Sequence, residues 1–184
     1  MGKVILYIAA SRDGFIAGSD GDISWLDKYQ GGAEDYGYSD FYKNVGAAIM
    51  GAKTYKKALT LNGGIDNNMP TYVITHRKLQ TRADAQITLY SGNLTELISK
   101  IQKKTAKNIW LVGGGQLTQS FLKEDLIDEI ILSTIPLILR EGISLFGNIS
   151  KEINLVLTKT KSYKSGIVQT HYKITKKQDT ITRQ

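Results

Sequence analysis

Apolar residues in this chain gather in short blocks divided by glycine- and aspartate-rich stretches. Residues 3–10 contain the run Val4-Ile5-Leu6-Tyr7-Ile8-Ala9-Ala10, too short for a typical helix and apolar on successive positions, which predicts a strand buried on both faces. Ala47 to Met50, Thr71 to Thr75, Gln86 to Tyr90, Ile109 to Val112 and Ile130 to Ile135 predict further strands. Between them lie helical stretches. One runs from about Lys53 to Leu59, and another carries Leu117, Phe121 and Leu122 on one face. The best-marked helix follows Asn93, an N-cap with Glu96 three residues on, and repeats Leu94, Leu97, Ile98 and Ile101 at i, i+3, i+4 and i+7.

Strands alternating with helices predict βαβ units and a mainly parallel sheet with right-handed crossovers. From Leu155 the pattern changes to two strand-like runs, Leu155 to Thr160 and Ile167 to Ile174, joined at Lys164-Ser165-Gly166, which predict an antiparallel hairpin at the end of the sheet. The stretches from Gly14 to Asp22 and from Tyr29 to Tyr38 read as long glycine-rich loops, and loops of that length usually do something. The expected organisation is one α/β domain over residues 1–175 and a polar tail over 176–184.

Composition narrows the chemistry. The 184 residues include no cysteine, which removes disulfides, thiolate catalysis, Cys-ligated zinc and iron–sulfur clusters. Two histidines, His76 and His171, are too few for a multi-histidine metal site, and no metal is expected. The first apolar run is shorter than a membrane span and ends in Ser11-Arg12-Asp13 instead of a cleavage site, so a cytoplasmic protein without membrane contact is expected. The formal charge of +7 favours anionic partners in general. Its lysines are scattered, without interleaved aromatics or a nucleic-acid motif, so most of that charge reads as a solvated face and no nucleic-acid partner is expected.

Three predicted strands end in groups suited to phosphate. Val112-Gly113-Gly114-Gly115-Gln116-Leu117 is a strand, a glycine turn and a helix start, where backbone N–H groups and the helix dipole can hold an anion. A tight structural turn would use the same glycines, and Thr118 stands where the third glycine of the dinucleotide fingerprint belongs. Gly51-Ala52-Lys53-Thr54 follows another strand, and Thr75-His76-Arg77-Lys78 closes a third. Open α/β sheets bind ligands at the carboxyl ends of their strands, so the three together point to an elongated ligand with several phosphates. Acid–base candidates are fewer. Asp13, Asp35 and Asp40 lie in or beside the early loops, where aspartate is also the default turn residue. Asp35, Tyr36 and Asp40 are the candidate proton donors or orienters. Trp25 could floor a pocket or anchor its loop, and His171 reads as structural.

Taken in order, Ser11-Arg12-Asp13-Gly14-Phe15-Ile16-Ala17, Ile23-Ser24-Trp25-Leu26, Ile49-Met50-Gly51-Ala52-Lys53-Thr54-Tyr55, Val73-Ile74-Thr75-His76-Arg77, Val112-Gly113-Gly114-Gly115 and Asp128-Glu129-Ile130 through Ile135-Pro136-Leu137 resemble the dihydrofolate reductase superfamily. The resemblance is closest to its bacterial branch holding the reductase domain of riboflavin biosynthesis and small stand-alone relatives. It implies a single-domain dihydrofolate-reductase-like fold and an NADPH-dependent reductase acting on a small pyrimidine- or pteridine-like substrate. By the same resemblance, Ala9, Ile16, Gly18, Gly51, Lys53, Thr54, Thr75, His76, Arg77, Gly113, Gly114, Gly115, Gln116 and Leu117 contact the cofactor. Gly113 to Gly115 take its pyrophosphate, and Thr75, His76 and Arg77 lie at the adenosine 2′-phosphate. Ser11, Asp13 and Trp25 are the substrate-side residues, and a homodimer is implied by analogy.

Three positions depart from the pattern. Ala52 replaces an arginine common after the turn glycine, which leaves 2′-phosphate recognition to Arg77 with Lys53 or Lys78. Val112 stands where riboflavin-pathway reductases carry a glutamate, and the carboxylate that dihydrofolate reductases use falls near Gly37. The reduction of a ribosylaminopyrimidinone, then of dihydrofolate, remain alternative activities, and a non-catalytic NADPH-binding module is the alternative from another class.

Overall fold

The alternation of apolar blocks becomes a single eight-stranded sheet in the computed structural model, which describes residues 1–29, 34–61, 64–147, 149 and 151–175. In chain order the elements are β1 (Val4–Ser11), β2 (Phe15–Ala17), a 3₁₀ turn (Ser24–Tyr29), α1 (Tyr38–Lys43), β3 (Val45–Gly51) and α2 (Ala52–Ala58). Then come β4 (Thr71–Ile74), β5 (Ile87–Tyr90), α3 (Leu94–Lys104), β6 (Asn108–Gly113) and α4 (Gly115–Lys123). The chain closes with β7 (Glu129–Ile135), β8 (Ile143–Ser144), β9 (Leu155–Ser162) and β10 (Val168–Ile174). The sheet order is β5-β4-β3-β6-β1-β7-β10-β9. Every pairing is parallel up to β7, and β10 and β9 add the antiparallel hairpin.

Side-chain alternation divides the core. On one face Leu6, Ile49, Ile109, Leu111 and Ile130 meet the apolar stripes of α3 and α4. Asn93 caps α3 as its spacing predicts, its side-chain oxygen accepting the Glu96 N–H at 3.0 Å. On the opposite face Ile5, Ala48 and Ile131 pack under Phe41 of α1, while Met50 and Val73 pack under Tyr55 of α2. The outermost strand β9 is exposed along its whole length, with Leu155, Val156 and Leu157 facing solvent.

Three elements differ from the sequence reading. Part of the first loop forms β2, pairing with β8 away from the main sheet. The second loop gives way to α1 at Tyr38, and its residues 30–33 lie outside the described part, as does the polar tail 176–184. The helix was hidden because its N-cap is Gly37 at φ +79°, which offers no capping side chain. Asp35 does that work from two residues upstream. Among the described residues no helix is long and apolar enough to cross a membrane.

Candidate functional site

Four adjacent parallel strands, β4, β3, β6 and β1, finish along one edge of the sheet. Gly51 pairs with Ile74 and Met50 with Gly113, so the turns after β3, β4 and β6 stand side by side. The sheet therefore brings together Gly51, Lys53 and Thr54, Thr75 to Arg77, and Gly113 to Leu117, as the strand-end reasoning expects.

The glycine turn is built for close approach. Gly113 at φ +109° and Gly114 at φ +94° occupy backbone conformations that side-chain-bearing residues rarely adopt. A Cβ on Gly114 would come within 2.8 Å of the Thr54 hydroxyl oxygen. That hydroxyl donates to the Gly113 carbonyl at 3.3 Å and ties the β3–α2 turn to the β6–α4 turn. The first N–H groups of α4, at this turn, have no acceptor within the helix. A Cβ on Gly51 would meet nothing within 4 Å, so the floor between the two turns is open. Leu117 is only 8% exposed and belongs to the core, so it can offer a ligand its backbone alone. Gln116 is exposed. Thr118, which in sequence stands out only as a missing glycine, places in the first turn of α4 a buried hydroxyl that has no hydrogen-bond partner among the described residues.

At the neighbouring strand end the Thr75 hydroxyl accepts the Arg77 N–H at 3.0 Å and shapes the turn. The side chains of His76, Arg77 and Lys53 are exposed, and Arg77 makes no ion pair among the described residues. Ile16 packs against the core from β2. Gly18 sits in a turn, donating to the Asp22 carbonyl and accepting from Gly21 N–H.

The residues predicted for the substrate side separate into two groups. Trp25 and Tyr36 pack, beside the predicted cofactor residue Ala9, on one cluster with Ile135, Tyr163 and Ile167, and the buried Trp25 indole N–H has no partner among the described residues. Ser11 and Asp13, by contrast, organise loops. Ser11 is buried, its hydroxyl donating to Asp13 at 2.6 Å and accepting the Phe15 N–H. Asp13 also accepts the backbone N–H groups of Leu139 and Arg140, so its oxygens are occupied.

The proposed acids are likewise committed. Asp35 accepts the N–H groups of Gly37 and Ser39, and these bonds hold its carboxyl below the usual range, as an anion. Asp40 has its side chain 88% exposed beside Lys43 on the outer side of α1. Tyr36, at φ +54°, turns its carbonyl inward. There it accepts from the Tyr7 hydroxyl at 3.1 Å and from the Gln169 amide at 2.9 Å. Gln169, 3% exposed, also donates to Ser133 and accepts at its other end near His171. Burial pushes the Tyr7 hydroxyl up to about 12 and moves the His171 ring down. This network was missed because its members sit on β1, β7, β10 and the loop before α1, far apart in the chain.

Asp13 carries a pH signature. The Ser11 hydroxyl foremost, then the Arg140 and Leu139 N–H groups, depress its carboxyl below the ordinary value. A group depressed in the folded state stabilises above its unfolded pKa and loses that contribution as pH falls through the folded one. Thermal melts from neutral to acid pH are expected to show a shallower acid loss for Asp13→Asn than for the parent. Parallel curves would refute the assignment.

Beneath the strand ends, on the α1 side of the sheet, lies a cavity of about 270 Å³. Met50 and Val112, the residues before the two turn glycines of β3 and β6, line it together with Tyr38, Tyr42, Trp110 and Asp66. The indole N–H of Trp110 donates to the Tyr7 carbonyl at 3.1 Å, which fixes the ring. The only sequence signals were the i, i+4 pair Tyr38 and Tyr42, and Trp110 and Val112 two apart on one strand face.

A mostly parallel sheet with a glycine turn at one strand end and a closing antiparallel hairpin defines a dihydrofolate-reductase-like domain. Dihydrofolate reductase of Enterococcus faecalis, crystallised with NADP(H), shares this fold at a TM-score of 0.65 and 15% identity, over 95% of this chain and 98% of its own. The family model of the RibD C-terminal domain matches residues 2–169, and the chain belongs to that family. YwjB of Bacillus subtilis strain 168, itself uncharacterised, is 37% identical over 170 residues, which are 92% of this chain and 97% of YwjB. A crystallised protein of Shewanella sp. PV-4, assigned by name to riboflavin biosynthesis, superposes with a TM-score of 0.84 at 28% identity, over 95% and 99% of the two chains.

Proposed function

We propose that this protein is an NADPH-dependent reductase of a small heterocyclic substrate. The observation that carries the reading is the turn formed by Gly113, Gly114 and Thr54, with the exposed cation Arg77 on the same sheet edge. These residues fit a dinucleotide. Gly113 and Gly114 let Ile8 and Thr54 pack close against the turn, Gly51 beside it leaves open space, the α4 N–H groups suit a pyrophosphate, and Arg77 with Lys53 suits a further phosphate. When bound, NADPH would supply the hydride. The chain's own part is to orient the ring in the neighbouring cavity, exclude water and offer the Trp25 N–H and Thr118 hydroxyl, which have no partner among the described residues, to whatever lies against them. Family membership and the Shewanella neighbour support a reductase of riboflavin-biosynthesis type, with dihydrofolate reduction as the further alternative. The involvement of Asp35 and Asp40 in loop and surface contacts favours, as a second reading, a module that binds NADPH without reducing anything.

Quenching of tryptophan fluorescence by NADPH and NADH, followed by NADPH oxidation against pyrimidines and pteridines, tests this directly. NADPH is expected to bind more tightly than NADH. Arg77→Ala is expected to weaken NADPH about tenfold or more and leave NADH nearly unchanged, on the scale of one hydrogen bond to a charged group. Equal losses would move the adenosine end elsewhere. Binding without turnover of any ring would favour the module, and no binding would remove both readings.

A further inference from the structure

The cavity between α1 and the segment leading into β4 has walls of one kind and polar groups of another. Tyr38 and Trp110 approach edge to face at 5.8 Å between ring centroids, and Tyr38 and Tyr42 lie tilted at 5.4 Å. Met50 and Val112 close the side nearest the strand ends. Such walls, in a space of about 270 Å³, suit one flat ring.

The polar groups are biased towards accepting. The Tyr42 hydroxyl gives its proton to Asp66, and the other Asp66 oxygen accepts the Asn68 N–H at 2.7 Å. The Tyr42 bond foremost keeps the Asp66 carboxyl below its usual range, so it stands as an anion at neutral pH. Thr71 gives its hydroxyl proton to the Met69 carbonyl, and Trp110 gives its N–H to Tyr7. Of the side chains lining the cavity, only the Tyr38 hydroxyl keeps its proton uncommitted among the described residues.

We propose that Tyr42 and Asp66 are specificity-determining residues of the ring pocket, selecting a planar heterocycle by an edge of N–H donors and rejecting an anionic substituent at that edge. An N–H edge gains charge-assisted bonds to Asp66 and to the lone pairs of Tyr42. A carboxylate or phosphate there meets the Asp66 charge and finds one donor at most. Any anionic tail of the substrate must therefore point away from Asp66.

This inference rests on the reductase reading, and its test separates the two. Three matched probes are titrated, with and without saturating NADPH, by ligand-detected magnetic resonance: 2-aminopyridine, whose amino and protonated ring nitrogens form one donor edge; pyridine, which lacks it; and pyridine-2-carboxylate, which puts an anion there. The protein is expected to bind 2-aminopyridine at least about tenfold more tightly than pyridine, and pyridine-2-carboxylate not at all. Asp66→Asn removes the charge from an exposed position at nearly constant size. It should erase that preference and narrow the gap to the carboxylate probe, with NADPH affinity unchanged. Tyr42→Phe should weaken 2-aminopyridine a few-fold. Equal binding of the amine by parent and Asp66→Asn, or no binding by the parent, overturns the proposal whether or not NADPH binds. An Asp66-dependent preference in a protein that ignores NADPH would uphold the pocket and remove the reductase reading instead.

Discussion

Gly114→Val is expected to cost NADPH affinity about a hundredfold while the protein stays folded. Gly114 adopts φ +94° and ψ 125°, and its missing Cβ is 2.8 Å from the Thr54 hydroxyl. A branched side chain must rotate the turn or push Thr54 away, and either movement misdirects the N–H groups that open α4. Losing two hydrogen bonds to phosphate, at about 1.5 kcal/mol or more each, accounts for that factor. The backbone strain itself, about 1–3 kcal/mol, lowers the melting temperature by several degrees without unfolding the domain. Gly51→Ala separates ligand effects from protein effects. Its backbone at φ −80° tolerates a side chain, and the added methyl meets no protein atom within 4 Å. Any affinity lost there comes from the ligand's own need for that space. Fluorescence titration beside thermal melts makes both measurements. A folded Gly114→Val protein with parental NADPH affinity would refute the cradle.

Phe121→Ala carries the largest expected loss of stability. Phe121 is fully buried at 0% exposure on α4, against Leu6, Leu111 and Ile130 of the sheet. Emptying that position costs about 3–5 kcal/mol from lost transfer energy and the cavity left behind. Domains of this size melt about 2–4 °C lower per kcal/mol, so the melting temperature should fall by roughly 6–20 °C. Because α4 presents the cradle at its other end, saturating NADPH should restore part of the loss, about 2.7 kcal/mol at a hundred times its dissociation constant. Denaturant unfolding with and without NADPH reads both terms. A loss below about 1 kcal/mol would place Phe121 outside the cooperative core.

Legibility in the sequence followed the range of the physics involved. The α3 cap was readable because Asn93 and Glu96 are three residues apart and their bond is local. Strand ends at Gly51, Thr75 and Gly113 were readable because apolar runs stop there, and parallel pairing then fixes which ends share an edge. The roles of Ser11, Asp13, Asp35 and Asp40 were not readable, since an aspartate that binds substrate and one that braces a turn look alike in a loop. Asp13 is held by Leu139 and Arg140, more than a hundred residues away.

By itself, the sequence determined the alternating α/β order, the closing hairpin, the absence of thiol chemistry and the three phosphate-compatible strand ends. Each depends on residue type and spacing within a few positions. The tertiary structure alone decided which polar groups are already satisfied and which are left for a ligand. It bound up the loop aspartates and left the Trp25 N–H and the Thr118 hydroxyl without partners among the described residues. It also joined Tyr42 to Asp66 beside Trp110 in a cavity whose walls come from separate stretches of the chain. Hydrogen-bond satisfaction is a property of neighbours in space, and those neighbours exist only once the sheet has brought its distant strands together.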